Sequence, residues 1–324
     1  MRKFIILIGS ILLLSSCSLS TPSKPSVKSA ATKTEDVIRV GFSQGENNNP
    51  WRIAETNSIK EEAKKRGFDL IYRDAQSSSK KQISDVKEIL KQKVDYLLLA
   101  PRQDDELAPA LELAKKKNVP VILIDRQTKG VAGEDYITFI GTDFIWEGEQ
   151  AARWLVQQTN GKANIVEISA TTNSTSAKLR AKGFRNIIKS YPNMNIIASQ
   201  SGESSRATGQ KVMEQIIQTT DLPITAIFSH ADESTIGIIQ ALKAAGFKPN
   251  VDNLIVSVDG EKDALKAIIA GELGATVECN PFLGPKAFDV IEDHRNGKVI
   301  PTRIIQPGRF FTKENAKNFI NQAY

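Results

Sequence analysis

Four groups of polar residues follow directly on short apolar runs: Ser43-Gln44, Asp125-Arg126, Ser229 to Asp232, and Asp259. Carboxylates only accept hydrogen bonds and guanidinium groups only donate them. A set holding both kinds suits a molecule whose polar groups each donate and accept. The same sequence offers little to catalysis. The 2 histidines, His230 and His294, lie in unrelated segments, and Cys279 has no evident acid–base partner. Gly41 and Gly45 lack the spacing of a phosphate-cradling loop. These residues point to binding without chemical change, with no enzyme activity, cofactor or metal.

The elements around those residues repeat one pattern. From Val37 onward, β-branched runs alternate with amphipathic helical stretches: strands at Val37 to Phe42, Asp69 to Arg73, Val94 to Ala100, Val119 to Ile124 and Tyr136 to Ile140. Pro50 suits the first turn of the first helix, and Gly67 sits where its C-terminal cap belongs. The alternation restarts with strands at Asn164 to Ile168, Asn195 to Ser199, Ile224 to Phe228, Leu254 to Val258 and Ala275 to Glu278. Helices are expected near 144–158, 176–190, 206–218, 233–245 and 262–270. Continuous apolar strands between helices imply an α/β class, with doubly wound parallel sheets covered on both faces. Two such series of similar length imply two similar lobes. Ligands of open parallel sheets bind beyond the carboxyl ends of the strands, where the polar groups stand.

The N-terminus addresses the compartment. Arg2 and Lys3 precede an apolar run from Phe4 to Leu14, closed by Leu14-Ser15-Ser16-Cys17. This is the layout of a signal peptide, too short for a stable membrane span. Its ending resembles the bacterial lipobox, which implies a lipid on Cys17 and anchoring at the outer face of the cell membrane or in the periplasm. Residues 18–36, rich in Ser, Thr, Pro, Lys and Ala, read as a flexible tether. The formal charge of +6 is concentrated at this end. Residues 1 to 35 hold Arg2, Lys3, Lys24, Lys28 and Lys33 against Glu35, leaving 38 cations against 36 acids elsewhere. That near-neutral body is no nucleic-acid footprint. With Cys17 lipidated, Cys279 has no disulfide partner.

Seven motifs in order make a resemblance specific: Gly41-Phe42-Ser43-Gln44, Asn49-Pro50-Trp51-Arg52, Glu55-Thr56-Asn57, Ala100-Pro101, Asp125-Arg126, Ser199 to Gly202, and Ser257-Val258-Asp259-Gly260. Over about residues 37 to 322 the chain resembles the type I periplasmic sugar-binding proteins of ribose and galactofuranose type, which feed ABC importers. The resemblance implies a lobe of 37–142 plus 280–305 and a second of 143–279 plus 306–324. They would be joined by crossings near Gly141 to Asp143, Cys279 to Pro281 and Ile304 to Pro307. It implies a monosaccharide held by Asn49, Trp51, Arg52, Asp125, Arg126, Arg180 and Asp259, with Asp232 nearby. The residue types fit, because an aromatic plane covers the apolar face of a sugar ring while charged groups meet its hydroxyls.

Some residues depart from the family pattern. Ala231 stands where an Asn is common, so Ser229, His230 or Asp232 would have to compensate. Asn173 replaces a glycine and could add a hydrogen bond, and Cys279 replaces a polar amide. These changes fall in the second lobe and leave the sugar's identity open. The implied partner is an ABC permease. A sensor lipoprotein presenting sugar or a cyclic quorum signal to a chemoreceptor or histidine kinase is the alternative. A sugar-responsive repressor would carry a helix-turn-helix where the signal peptide stands. The protein is expected to be a monomer.

Overall fold

The computed structural model describes residues 37–324. The expected signal peptide, tether and lipidated Cys17 lie outside the described residues. The chain begins with β1 (Arg39–Gln44), α1 (Pro50–Arg66), β2 (Asp69–Asp74), α2 (Ser79–Lys91), β3 (Tyr96–Ala100), α3 (Ala108–Lys116), β4 (Val121–Ile124) and β5 (Thr138–Gly141). It continues with α4 (Phe144–Thr159), β6 (Lys162–Ser169), α5 (Thr175–Ile188), β7 (Asn193–Ser201), α6 (Arg206–Thr219), β8 (Ala226–Ser229), α7 (Asp232–Ala244), β9 (Leu254–Asp259), α8 (Lys262–Ala270) and β10 (Ala275–Glu278). It ends with α9 (Gly284–Arg295), β11 (Arg303–Ile305), β12 (Phe310–Thr312) and α10 (Ala316–Phe319).

Two six-stranded sheets form, in the orders β11-β5-β4-β3-β1-β2 and β12-β10-β9-β8-β6-β7. The two orders correspond strand for strand, differing only in the direction of the edge strand. Strands within each sheet run parallel except β12, which lies antiparallel to β10. The chain passes between the sheets three times: between β5 and α4, between β10 and α9, and between β11 and β12.

Every residue of β3 is buried, because helices cover both faces of its sheet. Side chains alternate across a strand, so Leu98 joins Ile59 and Phe288 on one face. Leu97 and Leu99 join Ile89 and Leu111 on the other. The second sheet is sandwiched likewise, with Val166 and Ile227 on one side and Ile165 and Phe228 on the other.

The sequence reading leaves residues after the third crossing, and α9 before it, without assigned elements. Strands β11 and β12 are three residues each, too short to carry a period, and act as sheet edges. Five helices start on a side chain that accepts a hydrogen bond from their first turn: Asn49, Ser78, Asp143, Ser174 and Ser205. Gly67 closes α1 at φ +76, a left-handed value that suits glycine. These caps set where each helix leaves its strand-end loop, and so which residues face the space between the sheets.

Candidate ligand-binding cleft

A narrow cavity lies between the two lobes, at the carboxyl ends of their strands. The first lobe lines it with Asn49, Trp51, Arg52, Asp125 and Arg126. The second brings Ser176, Arg180, Ser204, Glu233, Asp259 and Glu261, and the middle crossing brings Cys279.

The wall from the first lobe is a buried charge network. Arg52, in the first turn of α1, sits 2.6 Å from Asp125, 2.8 Å from Glu55 and 3.8 Å from Glu46. Arg126 lies 3.3 Å from Glu46 and 3.6 Å from Asp125, so the closer partner of Asp125 is Arg52. Arg102 adds a 2.6 Å contact to Glu46. Three carboxylates thus meet three guanidinium groups, a balance that buried charges require. Burial works against ionising Glu46, but Arg126, Arg52 and Arg102 outweigh it and hold the carboxyl below its usual range. At Glu55 burial prevails over Arg52 and pushes the carboxyl up to about 7.

Trp51 is 6% exposed, and its ring carries the Arg52 guanidinium 4.7 Å from the centroid. Its indole N–H donates to the Cys279 carbonyl at 2.6 Å, spending the polar end on the crossing and leaving the ring as apolar wall. Asn49 caps α1 through Oδ1, which accepts from the Arg52 N–H at 2.9 Å. Cys279 is buried and free, and its thiol lies 3.3 Å from the Thr142 hydroxyl of the first crossing.

In the second lobe Arg180 of α5 donates to Glu147 of α4 at 2.7 Å and to the His230 carbonyl at 2.6 Å. It also reaches Asp259 at 3.5 Å. Glycines permit this meeting of helices. A Cβ at Gly148 would lie 2.1 Å from the Arg180 carbonyl oxygen, and one at Gly183 would lie 2.0 Å from that of Ile145. Glu147 and Arg180 are 33 positions apart and meet where those helices cross.

Asp125 and Asp259 both stand at strand ends with positive φ, +61 and +135. Such conformations are costly for non-glycine residues and persist only where the surroundings hold them. Asp232 does the holding beside Asp259. Its carboxylate accepts from the N–H groups of Gly260 and Glu261 at 2.7 and 2.8 Å, and from the hydroxyls of Ser257 and Thr276. Its own N–H donates to Asp259 at 3.2 Å. Burial keeps the Asp232 carboxyl at about 6 despite these donors. Burial also pushes Asp259 well up, Arg180 opposing and Asp232 adding to the rise.

Two of the residues named from the sequence are placed away from this lining. Asp232 is wholly buried beneath the wall and lies outside the cavity lining; its four acceptor bonds anchor the Asp259 turn instead. Asn173 is an exposed loop residue at φ +59, also outside the lining. What it contributes is its backbone carbonyl, which accepts from Asp104 of the opposite lobe at 3.2 Å. The other seven residues named from the sequence line the cavity together.

Sequence reasoning missed Ser176, Ser204, Glu233 and Glu261 in the lining, and Glu46, Glu55 and Glu147 behind it. Glu55 had a signal, since Arg52 and Glu55 are three apart on one helix face. Further bonds cross the mouth: Arg126 to the Thr171 hydroxyl at 3.3 Å, the Gln127 N–H to Thr175 at 3.1 Å, and Lys178 to Asp104 at 2.7 Å. The lobes are shut over the cavity.

Comparison with known proteins agrees with this architecture. Residues 40–298 match the periplasmic binding protein domain. The chain is 39% identical to the galactofuranose-binding protein YtfQ of Escherichia coli K12, over 82% of this chain and 85% of that one. It is 32% identical to the ribose import binding protein RbsB of Bacillus subtilis 168, over 96% and 98%. Among solved structures it superposes with a TM-score of 0.84 and 40% identity on the binding component of the arabinose ABC transporter from Shewanella sp. ANA-3, bound to L-arabinofuranose, covering 88% and 95%. Two lobes of one repeated topology, closed over a charged cleft at their strand ends, are thus accounted for by descent: the chain belongs to the type I periplasmic binding proteins.

Proposed function

We propose that the protein captures one monosaccharide between its lobes, a pentose or hexose of furanose-forming kind, and delivers it unchanged to an ABC permease. The observation that carries this reading is the composition of the cavity wall. An aromatic ring, carboxylates and guanidinium groups from both lobes converge on one cleft. The names of the relatives, galactofuranose, ribose and arabinofuranose binders, supply the ligand class. A micromolar dissociation constant, about −8 kcal/mol, spread over a dozen sugar heavy atoms asks roughly 0.7 kcal/mol of each, within the bound for tiny ligands.

Export follows from the family and from the N-terminal sequence; a lipid on Cys17 would keep the body tethered near the permease. Calorimetric titration with D-galactose, L-arabinose, D-ribose and D-fructose tests the reading. One sugar should bind with unit stoichiometry and be recovered unaltered. No binding across the panel would place the ligand in another class.

A further inference from the structure

The two walls of the cavity are unequal. In the first lobe each carboxylate faces a guanidinium. In the second, Arg180 serves Glu147 and Asp259, and Arg206 serves Glu233 at 2.5 Å and Asp263 at 3.1 Å. Glu261, which lines the cavity and is 2% exposed, has no such mate, and its Oε2 is buried without a hydrogen-bond partner among the described residues. Leaving a buried acceptor unmade is costly, so the vacancy needs a reason. Capping is not that reason. Glu261 stands at the N-cap of α8, yet its side chain makes no bond to the helix. Nor is the residue loosely placed, since its backbone N–H donates to Asp232 at 2.8 Å. Ala231, at the head of α7, brings no polar side chain to this wall.

We infer that Glu261 is a specificity-determining residue, whose free carboxyl oxygen meets one hydroxyl of the bound sugar. The inference rests on the sugar-binding reading. The groups facing Glu261 are Asp259, Asp232, Glu233, Arg206 and the Tyr324 hydroxyl. Burial first, then Asp259, Asp232 and Glu233, push its carboxyl well above the ordinary value. A carboxylic acid both donates and accepts, as a sugar hydroxyl does, which sets this contact apart from the guanidinium and carboxylate contacts elsewhere in the cleft.

The test is a cycle between ligand and protein. Whichever of D-galactose, L-arabinose, D-ribose and D-fructose binds is titrated, with its monodeoxy analogues, into the parent, Glu261→Gln and Glu261→Leu. For one analogue the parent should lose tenfold or more in affinity. In Glu261→Leu that same deletion should cost less than threefold, while Glu261→Gln, which also donates and accepts, retains the penalty. If every analogue loses the same factor in the parent and in Glu261→Leu, the inference is wrong although sugar binding stands. If no sugar binds the parent, the sugar-binding reading fails and the inference falls with it.

Discussion

Among single residues, charge rather than surface decides what each side chain contributes. On the proposed function, Arg126→Ala or Asp259→Ala would leave a buried partner and a sugar hydroxyl unmatched. Charged hydrogen bonds contribute roughly 1.5–3 kcal/mol, so about 10- to 150-fold in affinity is expected to be lost in titration. Trp51→Phe keeps an aromatic face and gives up the bond to the Cys279 carbonyl, and its affinity should change less than in either charge variant. Arg52 differs from both because three carboxylates surround it. Arg52→Ala should lower the melting temperature of the sugar-free protein, breaking a buried network at a cost of about 3–5 kcal/mol. A melting temperature equal to the parent's would mean the network is open to water.

The same carboxyls set the response to pH. Glu55 is held up at about 7 and Asp232 at about 6, against ordinary values of 4.5 and 3.8, chiefly by burial. Between about pH 4 and 7 the folded chain therefore holds protons that the unfolded chain has released. Their stabilisation is full below that window and is lost as pH rises through it. Glu167 and Glu46 are held low, Glu167 by His230 and Arg185 against burial, Glu46 by its three arginines, so their stabilisation fades only in more acid solution. His230 opposes the trend, since burial holds it below 6.5 and disfavours its charging as pH falls. The raised carboxyls outnumber it. Melting of the sugar-free protein should be higher near pH 5 than near pH 8, and should fall again below about pH 4. A curve rising steadily to pH 8 would contradict this assignment.

At the scale of elements, the site depends on helices and turns meeting closely. The α4–α5 crossing admits no Cβ at Gly183, so Gly183→Ala must push the helices apart. Overpacking costs roughly 1–3 kcal/mol, and here it also separates Arg180 from Glu147. Lower melting temperature and weaker sugar binding are expected together; loss of stability alone would show that Arg180 is placed by other contacts. Tyr324 makes a second such joint. Its hydroxyl donates to the Asp259 carbonyl at 3.1 Å, alongside the Cys279 N–H at 3.0 Å, and its ring meets Phe282 edge-on. Tyr324→Phe should weaken binding a few-fold while leaving the melting temperature within a few degrees.

These joints also mark the limit of what the sequence discloses. Strands β1 to β10 were legible, most plainly the buried parallel ones that are continuous apolar runs, whereas the three-residue β11 and β12 were not. Asp125 and Asp259 were legible because they end such runs. Asp232 was expected near the ligand from its place at a strand end, which does not say which way its carboxylate turns. Glu147 and Glu261 were missed because a glycine crossing and a turn bring them to the site, and neither leaves a short-range pattern.

For the whole molecule, the repeated topology places two binding walls on separate bodies linked by three short crossings. Neither wall is complete alone: Trp51, Arg52, Asp125 and Arg126 belong to one, Arg180, Asp259 and Glu261 to the other. A sugar touching both favours the shut form, and its differential affinity for that form sets how far it shifts the equilibrium. The bonds across the mouth, from Arg126 to Thr171 and from Lys178 to Asp104, exist only when the lobes are shut and add to that bias. Small-angle X-ray scattering of the protein, alone and saturated with the sugar that titration identifies, tests this most directly. The radius of gyration should fall on saturation, and the fall should be lost in Asp259→Ala at the same sugar concentration. An unchanged profile in the saturated parent would contradict capture by closure of the two lobes.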